Sequence, residues 1–376
     1  MNKKVKLLET CTITTGKLDS NAGLEFGEYP FFTCAPTPAR INDYAFDSQA
    51  VLIAGNNAAA NFHVSRYTGK FNAYQRTYVL VPKSNYDLDF LYYVLKLELQ
   101  YLKHRSQGSQ TKFLTMPLLT NLEIPDLSLP KQRKTISALK LLDEKIDLLT
   151  RKREALAKLA VTLFNYWFVQ FNFPDANGEP YSLSGGKMKY SKELEKDIPE
   201  KWESVTLGRI CDIYQPKTIS GKEMDEKGKY QVYGSNGIVG RYKNFNHEDS
   251  EVVVSCRGDC GNVLRTRPNS WITGNAMVFK PLNKELHNEF ILHSLRNLGL
   301  KNSITGSVQG QLTRKNVENL GIVLPDSQVL KTYCEIVSAT VEEDLVLDLE
   351  IEKATSMRDF LLPQLINGHL KISATS

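Results

Sequence analysis

The residues in this chain best suited to chemistry are polar and gather in two loop clusters. The first lies in "GNNAAANFHVSRYTGKFNAYQR" (55–76) and carries Asn56, Asn57, Asn61, His63, Arg66, Lys70, Asn72, Tyr74, Gln75 and Arg76. The second begins at the corner "VYGSNGIVGRY" (232–242) and carries Ser235, Asn236, Arg257, Asp259, Asn262, Arg265 and Arg267. Such side chains suit nucleic-acid reading. Arg pairs with guanine and Asn or Gln with adenine in the major groove, while Arg and Lys neutralise phosphate. The corner places Gly234, Gly237 and Gly240 between Tyr233 and Tyr242. Glycines pack poorly, but they let backbone approach another surface closely. Taken singly, each polar residue is an ordinary solvated side chain. Taken as clusters, they read as two recognition surfaces.

Catalytic signatures are missing. "SGGKMK" (184–189) has the Gly-Lys pair of a phosphate loop, but Met188 stands where a magnesium-binding hydroxyl belongs. There is no Pro-Pro pair, so the Asn/Asp-Pro-Pro-aromatic element of amino-methyltransferases is lacking, and there is no G-x-S-x-G elbow. The histidines (63, 104, 247, 287, 293, 369) are scattered, and "CRGDC" (256–260) has no second Cys/His pair to complete a zinc site. No catalytic residue and no metal are expected, and Cys256 and Cys260 are expected to be small buried hydrophobes.

The elements that must carry these loops occur twice. "VKLLETCTI" (5–13) matches "VTLGRICDI" (205–213), "EYPFF" (28–32) matches "KYQVY" (229–233), and "TYVLVP" (77–82) matches "AMVFKP" (276–281). Two further matches, 108–115 with 306–313 and 119–125 with 317–323, keep the same order at offsets near 200. This is a tandem duplication. Runs such as "AVLIAG" (50–55) and "EVVVSC" (251–256) predict strands, and "LDFLYYVLKLELQYL" (88–102) and "NEFILHSLRNL" (288–298) predict a helix in each copy.

After each copy comes a long helix. From Lys131 to Phe173 there is no Pro or Gly, and Leu139, Leu142, Ile146, Leu149, Arg153, Leu156, Ala160 and Leu163 alternate strides of three and four. Arg153 alone breaks this heptad stripe. The second helix offers a ragged stripe of Val337, Val341, Leu345, Leu349, Phe360, Leu361 and Leu365. Two such helices are expected to pack on each other; the alternative is that each packs on its own domain. Residues 174–199, rich in Pro, Gly, Ser and Lys, read as a linker or ordered arm. The expected domains are 1–130, a central helix 131–173, the linker 174–199, a second domain 200–325, and a C-terminal helix and tail 326–376.

The bulk numbers agree with a cytoplasmic protein. A net charge of +5 and a pI near 8.7 permit a nucleic-acid partner without demanding one. Six cysteines in 376 residues suggest no disulfide framework, and no apolar run approaches a membrane span or a secretory signal.

The chain resembles the specificity subunit of type I DNA restriction–modification systems over essentially its full length. The likeness rests on "YQVYGSNGIVGRY" (230–242), "GKFNAYQRTYVLVP" (69–82), "KLAVTLFNYWFVQFNFP" (158–174), "GGKMKYSKELEKDIPEKWE" (185–203) and "FLLPQLINGHLKI" (360–372). One departure is "EYPFFTCAPTPARINDY" (28–44), which lacks the Gly-Ser-Asn-Gly core. The resemblance implies an α+β fold: two tandem target recognition domains joined by two long helices packed as an antiparallel coiled coil, with pseudo-twofold symmetry. It implies a non-catalytic subunit in which each domain reads one half of a bipartite, asymmetric double-stranded DNA site. Partners would be two modification subunits, which use S-adenosylmethionine to methylate adenine, and restriction subunits, which use ATP and Mg; the chain itself would hold no cofactor. Phe164, Trp167 and Phe168 have two readings, as core or as docking surface for modification subunits. Two other classes stay open on the residues alone: a stand-alone nucleic-acid-modifying enzyme and a helical scaffold that binds only proteins.

Overall fold

A computed structural model describes residues 3–57, 61–108, 111–283, 285–305 and 310–372. They form two compact units, residues 1–149 with 350–376, and residues 150–349. Each unit therefore includes part of both long helices, Leu129–Phe164 and Ser327–Ile366.

The first unit is built on a six-stranded sheet. Its order is Cys11–Thr15, Thr77–Pro82, Phe46–Ala54, Val64–Ala73, Tyr29–Phe32, Ala39–Ile41. All neighbours are antiparallel except Tyr29–Phe32 beside Val64–Ala73. Side chains alternate across a strand, so Val51 and Ile53 pack with Phe90, Leu91, Val94 and Leu95 of the Leu88–Arg105 helix. Ala50 and Leu52 pack on the other face with Phe32, Phe71 and Val79. Asp87 starts that helix by accepting from the Asp89 and Phe90 amides at 3.0 and 3.3 Å. Ile136 and Leu139 of the first long helix and Leu362, Leu365 and Ile366 of the second complete this core.

The second unit repeats the pairing in two separate sheets. A four-stranded sheet runs Cys211–Tyr214, Ala276–Pro281, Val252–Ser255, Val263–Arg265; a three-stranded one runs Gly237–Tyr242, Tyr230–Gly234, Trp271–Ile272. The duplication extends to register. Cys11 opposes Pro82 and Cys211 opposes Pro281; Val51 opposes Leu80 and Val252 opposes Phe279; Phe32 opposes Ala73 and Tyr233 opposes Ile272.

All eight predicted positions of the first helix stripe are buried or half-buried, whereas Leu141, Leu148 and Leu159 are exposed. Arg153 belongs on the seam because carboxylates face it: Nε donates to Asp344 at 2.7 Å and Nη1 to Asp348 at 2.8 Å. In the first unit Arg358 donates to Asp143 at 3.1 Å and Lys145 pairs with Glu350 at 3.2 Å, so the helices run antiparallel there. In the second unit Arg153 meets Asp344 and Asp348 while Trp167 meets Tyr333, again antiparallel. The predicted stripe of the second helix needs correction. Leu349 and Phe360 are 57% and 66% exposed. The seam instead includes Asp344, Asp348, Ala354 and Arg358, three of them charged positions that an apolar pattern skips.

The expected linker is structured: Met188–Ser191 pairs with Lys196–Pro199, and Phe173 stacks on Tyr181 and Trp202 at 4.7 and 4.6 Å. Among the described residues no helix is long and apolar enough to cross a membrane.

Candidate nucleic-acid interface

In the first unit the Phe46–Ala54 strand delivers the chain to Asn56–Asn57, which pair with Lys112–Phe113. The Asn61 amide N–H donates to Asn57 Oδ1 at 3.1 Å, and Lys103 Nζ donates to Asn61 Oδ1 at 3.0 Å. These asparagines are at least partly exposed, and amide side chains of this type suit a base edge. Lys70, Gln75 and Arg76 are also exposed and Tyr74 is half-buried. Lys70 lies over the Tyr44 ring at 4.5 Å, and Gln75 donates to Asp19 at 3.3 Å. His63 is half-buried, and burial lowers its pKa, so it is neutral near pH 7.

In the second unit Ser235 and Asn236 form the tip between Tyr230–Gly234 and Gly237–Tyr242, and Asn236 is exposed. The glycines serve the hairpin itself. Gly237 has φ +86°, and a Cβ on Gly234 would meet Val239 Cγ1 at 2.8 Å. The tyrosines anchor it: Tyr233 Oη donates to Gln231 Oε1 at 2.8 Å and accepts from the Arg267 amide at 3.0 Å, and Tyr242 meets Trp271 edge-on at 5.1 Å. Arg257, Asp259 and Asn262 are exposed on the loop after Val252–Ser255. Asn262 donates to Asp259 Oδ2 at 3.0 Å, which holds the pair together. Cys256 and Cys260 are buried as expected; Gln215 donates to Cys256 Sγ at 2.9 Å, and Cys260 donates to the Gly310 carbonyl at 3.1 Å. No group of side chains suited to hold a metal ion occurs among the described residues.

Four expected contacts have internal partners instead. Arg66 pairs with Asp89 at 2.9 Å and Asp143 at 3.6 Å and lies over Tyr92. Burial is the largest single influence and opposes its charge, but Asp89 together with Tyr93 and Tyr92 raises its pKa overall. Arg265 donates to Ser250 at 2.8 Å and Glu289 at 2.5 Å. Arg267 donates to Asp348 at 2.6 Å. Asn72 is buried; it donates to the Asp43 carbonyl at 3.3 Å and accepts from the Ala73 amide at 2.9 Å. Committed charges and amides of this kind shape the domain rather than meet a ligand. The docking expectation for Phe164, Trp167 and Phe168 is likewise corrected. They are 4%, 5% and 6% exposed, and Phe168 meets Tyr333 at 4.7 Å, Phe290 at 5.2 Å and Trp202 at 5.7 Å. They are core of the second unit.

One paired device escaped the sequence reading. Arg40 donates to the carbonyls of Gly27 and Glu28, both at 3.0 Å; Arg241 donates to those of Gly228 and Lys229 at 2.7 and 3.0 Å. The Tyr29–Tyr44 and Tyr230–Phe245 ring pairs follow the same offset, at 5.1 and 5.0 Å. The signal was present in Gly27-x-Tyr29 and Gly228-x-Tyr230, each followed by Arg eleven residues after the Tyr.

Comparison with known proteins completes this picture. A family model described as "Type I restriction modification DNA specificity domain" matches residues 2–158 and 199–345. The specificity subunit of the Escherichia coli type I restriction enzyme EcoDI is 36% identical over 229 residues, covering 56% of this chain and 49% of that protein, so the match spans about half of its length. The MjaIX specificity subunit of Methanocaldococcus jannaschii is 25% identical over 319 residues, covering 78% of this chain and 71% of that protein. The crystal structure of a type I restriction–modification S subunit from M. genitalium shares the fold, with a TM-score of 0.63 at 19% identity over 99% of this chain and 96% of that one.

Proposed function

Because this chain belongs to the type I restriction modification DNA specificity domain family, we propose that it is the sequence-reading subunit of such a complex. Each α+β domain reads one half of a bipartite, asymmetric site on double-stranded DNA. The chain carries out no chemistry; it directs adenine methylation or cleavage by partners. These are two modification subunits, which bind S-adenosylmethionine, and restriction subunits, which use ATP and Mg. The work is done in the cytoplasm.

One observation carries this reading. The two domains share strand register residue for residue but present unlike loops at matched places, Asn56 and Asn57 in one and Arg257, Asp259 and Asn262 in the other. A shared frame with divergent tips suits two readers with different targets. The proposed readers are Asn56, Asn57, Asn61, Lys70, Tyr74, Gln75 and Arg76 in the first domain and Ser235, Asn236, Arg257, Asp259 and Asn262 in the second; His63 flanks the first set. The test is to express the chain with its modification subunit and map methylated adenines in the host. A single motif of two half-sites around an unspecified spacer is expected. A continuous motif, or methylation by the chain alone, overturns the proposal.

A further inference from the structure

The loop that leaves each reading strand is tied to a second loop, and the tie is the same in both domains. Leu114 donates to the Gly55 carbonyl at 2.8 Å, and Leu312 donates to that of Cys256 at 3.1 Å. Asn56 pairs with Phe113, and Arg257 pairs with Gln311. Gln107 and Phe113 exchange backbone hydrogen bonds at 3.1 and 2.9 Å, and Thr305 and Gln311 do so at 3.0 and 2.7 Å. The second loop follows the Leu88–Arg105 helix in one domain and the Asn288–Leu298 helix in the other.

The charge of these segments is one-sided. The chain has 42 acids in 376 residues, so stretches of the lengths of 99–122 and 290–317 would each carry about three; neither carries any. They do carry cations. Lys103, Arg105, Lys301 and Lys315 are exposed, and Lys112 is half-buried. Lys103 already touches the reading cluster through Asn61 at 3.0 Å. Cations on segments that carry no acid of their own, beside a reading loop, suit the phosphate backbone flanking the bases being read.

We propose that the segments holding Lys103, Arg105 and Lys112 in the first domain, and Lys301 and Lys315 in the second, are backbone clamps that bind DNA phosphate independently of sequence. This rests on the DNA-reading function above. Clamps set affinity and its salt dependence, not the motif.

The experiment measures binding of the full-length chain to a fluorescent mixed-sequence duplex over a range of salt. Each lost phosphate contact flattens the slope of log affinity against log salt by about 0.9. Lys103→Gln with Arg105→Gln is expected to flatten it by about two, and Lys301→Gln with Lys315→Gln by a similar amount. Lys189→Gln, an exposed cation on the Met188–Ser191 strand, is expected to leave it unchanged. The methylated motif stays the same in every variant. An unchanged slope in both doubles overturns the clamp, including when the loss appears instead in assembly with an acidic protein partner. A changed motif also overturns it, since the residues would then be readers. Wild-type chain that binds no duplex at any salt fails the DNA-reading function itself.

Discussion

Arg265 donates to the Glu289 carboxylate at 2.5 Å, tying the Val263–Arg265 strand to the Asn288–Leu298 helix. Arg66 and Asp89 stand in the same relation at 2.9 Å, and the register is matched, with Val252 opposite Arg265 and Val51 opposite Arg66. The pairs differ in what remains when the arginine goes. Asp89 also holds Lys140 at 2.5 Å, whereas Glu289, 5% exposed, is left with the neutral His293 at 3.7 Å and the more distant charge of Arg296, and with no further ion pair among the described residues. Breaking a buried pair from one side costs about 3–5 kcal/mol, because a charge is left unpaired. Arg265→Leu is therefore expected to destabilise its unit by about that much, and Arg66→Leu by about 1–2 kcal/mol. Denaturant titration measures both. The reverse order would mean that Glu289 is relieved by some other route.

His293 supplies a pH dependence. It is 4% exposed and sits against Phe164 at 5.5 Å. Burial, helped by Arg296, pulls its pKa down to about 4. Glu289 would favour the charged form, but its carboxylate is committed to Arg265, so burial wins. A depressed histidine is neutral when folded and protonates when unfolded. The stability it protects is complete above the unfolded value of about 6.5 and falls away as pH drops toward about 4, by about 3 kcal/mol in all. Melting temperature followed from pH 7 to pH 4 should fall in the wild type and fall less in His293→Leu. Parallel profiles would assign the acid loss to other groups.

The main strand runs, the internal repeat, both long helices and the seam of the first were legible in sequence, because they follow composition and apolar spacing; the strand pairings came from the fold. The roles of individual polar residues were not legible either. Arg66 and Arg265 look like readers in a loop-rich stretch; only folding brings Asp89 and Glu289 to them. Leu349 and Phe360 fit a heptad by type, yet Asp348 and Arg358 take the seam because Arg153 and Asp143 stand opposite. Phe164, Trp167 and Phe168 follow one helix face that core and docking surface could share, and it is Trp202, Phe290 and Tyr333 that decide for core.

Among the arginines of the second domain, exposure separates reader from frame. Arg257 is exposed, while Arg267 is held by Asp348 and beside Tyr233. Arg257→Ala should weaken specific binding by about 1–3 kcal/mol and relax one motif position, with melting unchanged. Asn236→Ala, at the hairpin tip, should behave likewise. Arg267→Ala should instead lower the melting temperature. Binding isotherms and calorimetry on the same preparations separate the cases, and a thermal loss in Arg257→Ala would move it into the frame.

Exchange of residues 200–325 for those of another family member should change one half-site and leave the other intact, provided an aromatic seam survives. The cut passes through a cluster. Trp202 and Phe290 lie inside the exchanged segment, while Phe168 and Tyr333 lie outside it. Trp202 is 1% exposed, and its indole donates to Asp326 at 3.3 Å, again across the cut. Losing a buried indole costs about 3–5 kcal/mol, which is a large part of a typical domain's stability. A donor with aromatics at both places should give soluble chimera and a methylated motif altered on one side only. A donor lacking the tryptophan should aggregate, and restoring that single residue should rescue folding without touching the motif. If the rescued chimera alters both half-sites, the domains do not read independently; if the unrescued one folds as well as wild type, the aromatic cluster is not what joins the recognition domain to its helices.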